Sequence, residues 1–491
     1  MPEGFSGLDF YYILPELILT GGALILLVTE LLTSNQRQGV LMWVALATIT
    51  ATATSLLSFS GVDATAARGL LAIDGIAFFF KFIFLISAGI TILMSAPYLR
   101  VEGIRAGEYY FLILCATLGM MFMASGVDLI TIFIGLETMA VSFYILTGFI
   151  KPNRRSNEAA VKYFLLGGFS LGILLYGMSI LYGLTGTTSL EGIALSLAGQ
   201  ERSLLLLLAV ILIVAGIGFK IAAVPFHMWA PDVYEGAPTP VTAYLSVGSK
   251  AASFAMLLRI FTEGLPSVSA DWQLLFYALC VISMTVGNVA AITQNNIKRM
   301  LAYSSIAHAG YVLIGIVVAT ERGITAMLIY LAVYLFMQLG AFAIVILMRR
   351  QNVVGDELKD LSGLYFRQPA AAFAMLFFML SLGGIPPTAG FIGKLWLFSA
   401  AVQAGYIWLA VIAVINSAIS LYYYIRVVVF MWIKEEVVES PPVTVSPLMT
   451  AALTITLGGT IAIGLYPQWL IELAQTSVQV LGASSVFTAF R

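Results

Sequence analysis

Apolar runs of about 20 residues, parted by short polar segments, recur along the whole chain. About fourteen are long enough to cross a bilayer as helices. The first six cover Tyr12–Leu32, Leu41–Phe59, Ile76–Ala96, Tyr109–Met123, Leu129–Phe149 and Val161–Tyr182. The next four cover Leu204–Phe226, Val241–Phe261, Leu274–Ile292 and Leu301–Val318. The last four cover Ile324–Leu347, Ala372–Leu397, Ile407–Trp432 and Leu448–Leu465. The pattern predicts an all-α polytopic membrane protein.

Two of these runs are interrupted. Span 7 carries Lys220 and then Pro225, and span 12 reads LGGIPPTAGFIGK, with Lys394 after the break. Proline removes a backbone donor and clashes with the preceding turn. Open backbone at membrane depth survives only inside protein or beside water. Broken helices in corresponding positions mark internal repeats around a transport path. Spans 7 and 12 lie five apart, which divides the chain into two five-helix units, spans 4–8 and 9–13. Five crossings are an odd number, so the second unit enters from the opposite face and the repeats are inverted. The expected division is 1–107, a three-helix segment; 108–262, the first repeat; 263–434, the second; and 435–491, a last helix and tail.

The loop charges orient the chain. Most basic loop residues, among them Arg100, Arg154, Arg155, Lys298 and Arg349, follow odd-numbered spans. Cytoplasmic loops carry the excess of Lys and Arg, so both termini are expected on the non-cytoplasmic side. The start, MPEGFSGLDF, lacks a basic segment, so the first run reads as a retained span and not a signal peptide.

Composition narrows the function. The 491 residues are 60% hydrophobic and 10% charged, with mean hydropathy +0.98 and net charge −1. That balance argues against a nucleic-acid partner. Cys115 and Cys280 stand far apart in apolar runs and form no CxxC motif, which argues against zinc, an iron–sulfur cluster or a disulfide framework. Two histidines are too few for a typical bis-His haem protein, and no phosphate-cradling glycine motif sits in its usual context. No cofactor is therefore expected on this chain.

The remaining chemistry is ionisable groups inside apolar runs. Glu137 lies mid-run in FIGLETMAVSF, and Lys220, Lys250 and Lys394 lie in or beside spans 7, 8 and 12. A lysine at the bilayer centre costs about 2.5–3.5 kcal/mol, so such groups are functional candidates by default. A lysine held between desolvation and a carboxylate can exchange its proton, and Glu137 is the candidate partner of Lys220. His308, in YSSIAHAGY, is a further candidate, since imidazole suits proton transfer. The competing reading is snorkelling to the interface for the lysines and a satisfied neutral ring for His308. His227 and Lys162 are possible channel residues, each with a structural alternative. Lys81 reads as structural or snorkelling, Glu16 and Glu30 as contact-forming, and Asp232 and Glu235 as solvated loop acids.

Four segments carry a family resemblance: FIGLETMAVSFYIL, GFKIAAVPFHMWAPDVYEGAPTPVTAYLSVGSKAA, NIKRMLAYSSIAHAGY and LSLGGIPPTAGFIGK. They resemble the antiporter-like subunits of respiratory complex I and of multisubunit cation/proton antiporters. Within that family, PDVYEGAPTPV and a lysine rather than a glutamate at position 394 are similar to the subunit N branch of the proton-pumping NADH:quinone oxidoreductases. The resemblance implies fourteen helices in two inverted five-helix repeats with discontinuous helices 7 and 12. It implies a functional pair, Glu137 and Lys220, and proton passage through Lys250 and His308 towards Lys394. It also implies a second antiporter-like subunit and small membrane subunits as neighbours in a bacterial inner membrane. Flavin, iron–sulfur clusters and the quinone site would lie on other chains. The alternative is a subunit of a multisubunit Na⁺/H⁺ antiporter, which would more naturally offer carboxylates and carbonyls along its path. A scaffold without proton chemistry is a third reading, one with no need of buried lysines.

Overall fold

A computed structural model describes residues 7–33, 39–104, 107–199, 202–349, 355–434 and 445–483. Among these residues, twelve helices are long and apolar enough to cross a membrane, and two shorter apolar helices adjoin chain breaks. Together they make fourteen crossings, as the hydrophobic pattern predicts. They are α1 (Leu14–Leu32), α2 (Gly39–Leu57), α3 (Gly75–Glu102), α4 (Gly107–Ser125), α5 (Leu129–Thr147) and α6 (Arg154–Thr185). Next come α7 (Leu204–Lys220), α8 (Thr239–Gly264), α9 (Pro266–Ile292), α10 (Ile297–Val318) and α11 (Glu321–Met348). The last are α12, in two pieces (Pro369–Gly383 and Ala389–Gln403), α13 (Ile407–Trp432) and α14 (Pro447–Leu465).

The middle of the molecule is set by three helices. α8, α10 and α11 are buried over 100%, 94% and 89% of their apolar windows, whereas α1, α6 and α14 bury 33% each. A helix that is apolar all round belongs in a protein core or in lipid. Polar groups on the three central helices are thus kept from both lipid and bulk water.

The repeat is visible in backbone detail. Asp128 caps α5 by accepting from the amides of Ile130 and Thr131, and Asn296 caps α10 by accepting from those of Lys298 and Arg299. Each cap residue forms a single antiparallel bridge, Asp128 with Ser189 and Asn296 with Glu357. All of these pairs are related by the same shift of 168 positions. So are two helix contacts. A Cβ on Gly119 would meet the Met139 amide at 2.5 Å and the Gly135 carbonyl at 2.6 Å, and one on Gly287 would meet the Ala307 amide at 2.7 Å and the Tyr303 carbonyl at 2.9 Å. In both repeats the first two helices therefore pack backbone to backbone, at a position only glycine allows.

Several features were not legible in the hydrophobic pattern. A two-stranded hairpin joins Ala64–Ala66 to Leu71–Ile73, short helices occupy Gly7–Tyr12 and Leu190–Leu197, and an amphipathic helix runs over Gln468–Ala483 after α14. α8 is not a uniform α-helix. It widens into π-turns at Leu245–Ser249 and Arg259–Gly264, on either side of the segment that starts with Lys250. One inserted residue turns the following side chains by about 100°, and such insertions collect at functional sites. The chain ends, 1–6 and 484–491, lie outside the described residues.

Candidate functional site

Both predicted breaks are present. α7 ends at Lys220, the chain unwinds over 221–228 through a cis Val224–Pro225 bond, and a short helix follows at Trp229–Gly236. The indole of Trp229 donates to the freed Phe219 carbonyl at 2.9 Å, and the Val224 amide donates to Ser283 Oγ at 2.9 Å. α12 breaks after Gly383 through a cis Pro386–Pro387 bond and resumes at Ala389. Its turn needs a glycine at 384, where φ is +82° and a Cβ would sit 2.8 Å from Lys394 Cδ.

Lys394 lies on the second piece of α12 and turns back to the end of the first. Its Nζ donates to the carbonyls of Leu382 at 3.1 Å and Gly383 at 2.9 Å, and to Ser417 Oγ at 2.8 Å. A cation at a helix C-terminus is stabilised by the exposed carbonyls and the aligned peptide dipoles. The break thus makes a polar cradle for an ammonium deep in the bundle. Lys250 Nζ is held similarly by one residue of α10, donating to the Ser305 carbonyl at 2.6 Å and to Ser305 Oγ at 2.7 Å. Ser305 stands one repeat shift from Glu137, so the second repeat offers a hydroxyl where the first has an acid.

His308 bridges two phenols. Its Nδ1 lies 2.6 Å from Tyr330 Oη and its Nε2 lies 2.9 Å from Tyr424 Oη, which in turn pairs with Ser304 Oγ at 2.6 Å. A neutral imidazole donates from one nitrogen and accepts at the other. A proton arriving at one face can therefore leave from the opposite one with a change of tautomer. The ring of Tyr311 separates His308 from Lys394, whose Nζ is 5.0 Å from that ring's centre.

Lys220, Lys250, His308 and Lys394 are 2%, 3%, 3% and 2% exposed. Snorkelling is thereby excluded for all three lysines. Glu137 and Lys220 lie near enough to act on each other electrostatically, without direct contact. Among the described residues they form no ion pair. Lys220 Nζ instead reaches Tyr144 Oη at 3.4 Å, and one carboxylate oxygen of half-buried Glu137 is buried without a hydrogen bond. The two residues come from α5 and from the last turn of α7, and the phenol from α5 occupies the contact position at the lysine. From Tyr144 an aromatic series runs through Tyr163 and Trp229 to Tyr234, and the last of these accepts from Ser305 Oγ at 3.4 Å. The Lys220 and Lys250 sites are thus joined by a run of packed rings with a hydrogen bond at each end. Four aromatic residues at scattered positions carry no sequence signal that sets them apart from core packing.

The two channel candidates sit apart from this row. His227 is half-buried in the unwound part of span 7, with Nδ1 buried and unbonded. Lys162 joins an ionic cluster instead of snorkelling. It pairs with Glu158 at 2.9 Å and Asp232 at 2.8 Å, while Arg299 pairs with Asp232 at 2.8 Å and Glu235 at 2.9 Å. The cluster borders a cavity of about 260 Å³. Asp232 and Glu235 are therefore paired groups, not the freely solvated acids their loop position suggests. The Lys162 side chain is 41% exposed, and exposed ion pairs are worth about 0–1 kcal/mol. Lys162→Ala should leave assembly intact and thermal stability little changed. A collapse of the melting temperature would instead make the cluster a structural clamp.

Other ionic groups are buried away from the row, and the structural reading of Lys81 and the contact-forming reading of Glu16 hold. Lys81 on α3 meets Glu16 on α1 at 2.6 Å, an ionic contact with both groups buried. Arg259 donates from Nη1 and Nη2 to the two oxygens of Asp74, both at 2.7 Å, from Nη1 to Glu263 at 2.7 Å and from Nε to the Ala124 carbonyl at 3.0 Å. Lys298, counted above as a loop charge, is buried and donates to the carbonyls of Glu235 and Ala237, both at 2.7 Å. Among the described residues no three His, Cys, Asp or Glu side chains gather as metal ligands would.

Residues 126–420, which hold both breaks and every residue of the row, match the family model described as NADH:quinone oxidoreductase/Mrp antiporter, TM. The chain is 45% identical over 479 residues to NADH-quinone oxidoreductase subunit N of Trichlorobacter lovleyi, covering 97% of this chain and 98% of that one. The chain belongs to the NADH-quinone oxidoreductase subunit N family. A second member, subunit N 2 of Rhizobium meliloti, is 46% identical, covering 94% and 96% of the two chains. Among solved structures, a chain of respiratory complex I from Thermus thermophilus is 33% identical with TM-score 0.79, covering 94% of this chain and 99% of that one. A chain of the Mrp complex from Dietzia shares the fold, with TM-score 0.83 at 21% identity, covering 98% and 99%. The subunit N family and the Mrp complex chain thus share one helical frame.

Proposed function

We propose that this chain is the proton-translocating, antiporter-like subunit of a membrane NADH:quinone oxidoreductase. The observation that carries it is the row Lys220, Lys250, His308 and Lys394, buried mid-bundle, with all three lysines beside a helix break or a π-turn and His308 on the continuous α10. Lys250 and Lys394 are each held by carbonyl and hydroxyl oxygens, so either can give up a proton without leaving a carboxylate stranded. Glu137 and Lys220 receive the drive. A unit charge brought to about 4 Å changes a site's energy by about 4 kcal/mol at an effective dielectric near 20. That is enough to load or empty it.

Flavin, iron–sulfur clusters and quinone then belong to other chains of the complex. A second antiporter-like subunit and small membrane subunits are the expected neighbours in the bacterial inner membrane, with both termini on the non-cytoplasmic side. The test uses the assembled complex in liposomes, with a pH-sensitive dye to follow protons on NADH addition. Lys394→Ala at normal assembly should slow proton movement by about 100-fold at the blocked transfer. Undiminished pumping would remove Lys394 from the path. Proton movement that requires Na⁺ would favour the cation antiporter reading.

A further inference from the structure

The helix that holds Tyr330 against His308 carries two more polar side chains on the same face, at Tyr334 and Gln338. Residues four apart on a helix lie one above the other. Gln338 is fully buried and Tyr334 is 3% exposed. Both amide atoms of Gln338 are buried with no hydrogen-bond partner, and the buried Tyr334 hydroxyl has only Ser305 beside it. Tyr334 stands between two parts of the row. Its ring packs on His308, with centroids 5.1 Å apart, and its hydroxyl faces Ser305, the residue that holds Lys250. On α3, which packs against α11, Thr91 Oγ1 is likewise buried and unbonded.

A buried polar atom without a partner costs about 1–3 kcal/mol. Two such atoms on one fully buried amide, one turn from a phenol that reaches the row, are not a feature that packing alone would keep. Buried water, which makes two to four hydrogen bonds, is the ordinary partner for such groups. We propose that Tyr334 and Gln338 hold a short chain of buried water that feeds protons to the Lys250–His308 section from the Gln338 side. Gln338 lies about 12 Å along the helix from Tyr330. In the transfer, a protonated water beside Gln338 gives its proton to the Tyr334 oxygen. That hydroxyl releases its own proton towards Ser305 and the neutral amine of Lys250. Gln338 orients the water through its amide and is a positioning residue.

This inference rests on the proton-row reading and has its own test. In the assembled complex in liposomes, Gln338→Leu and Tyr334→Phe should each slow proton pumping at least about tenfold, as loss of a positioned relay does, and should enlarge the slowing seen in D₂O. Gln338→Glu, which can still hold water, should restore most of the rate. Wild-type pumping in Gln338→Leu or Tyr334→Phe overturns the proposal. So does an assembled Gln338→Glu variant as slow as Gln338→Leu, since that pattern reports packing. If Gln338→Leu fails to accumulate, Tyr334→Phe decides, because it removes one oxygen and little volume. Lys220→Ala in the same assay separates the two levels. If it pumps normally the row itself fails, and if it alone is impaired only the water chain falls.

Discussion

Lys220→Ala, in a complex that assembles normally, is expected to slow proton pumping by about 100-fold or more, the range for removal of a positioned proton donor. The ammonium is buried at the end of α7, where the helix gives way to an unwound segment, and its hydrogen-bond partner is the Tyr144 phenol. Its removal leaves Tyr144 without that donor and Glu137 without a neighbouring positive charge. Two roles can be told apart by Lys220→Arg. Guanidinium keeps the charge but does not give up its proton in a protein. If Lys220 itself carries protons, the arginine variant pumps as poorly as the alanine one. If Lys220 supplies only a fixed charge, the arginine variant keeps most of the rate. The measurement is dye-reported proton uptake per NADH oxidised, with subunit content checked in the same membranes.

Arg259→Leu should have the largest effect on stability. Arg259 is 1% exposed and joins Asp74, 185 residues away in sequence, to Glu263 one turn on and to the Ala124 carbonyl at the end of α4. Asp74 also caps α3 by accepting from the Ala77 amide. Taking one partner from a buried ion cluster costs about 3–5 kcal/mol, because the remaining charges stay buried and unpaired. The subunit should then accumulate poorly in the membrane, and what remains should melt earlier. Neutralising the acids as well, in Arg259→Leu with Asp74→Asn and Glu263→Gln, should recover part of the loss. A triple variant no better than the single one would mean that the guanidinium contributes through packing rather than through charge.

The contrast between these residues shows what kind of information the chain carries openly. Lys220 and Lys394 stand out because each is a charge beside a proline or glycine break in an apolar run. Arg259 lies within the same kind of run, near its end, where a position by itself equally suits a side chain reaching for the interface. Only the approach of α3 and α4 makes it a buried clamp. The same holds for Asp232 and Glu235, which are ordinary loop acids until Lys162 and Arg299 are brought to them. Tyr144, Tyr163, Trp229 and Tyr234 give no signal at all, since aromatic residues are as common in apolar cores as in functional series.

By itself the sequence determined that the chain spans the membrane about fourteen times, that spans 7 and 12 are broken, and that ionisable groups sit at those breaks. These follow from local chemistry: the length of apolar runs against the bilayer, the missing donor of proline and the cost of burying charge. The tertiary structure alone decided which groups meet. It put a phenol rather than an acid on Lys220, gave Lys250 to Ser305, hung His308 between two tyrosines and widened α8 beside Lys250. Those choices depend on how helices far apart in the chain pack their faces, a property of the assembled bundle that no single stretch of residues encodes.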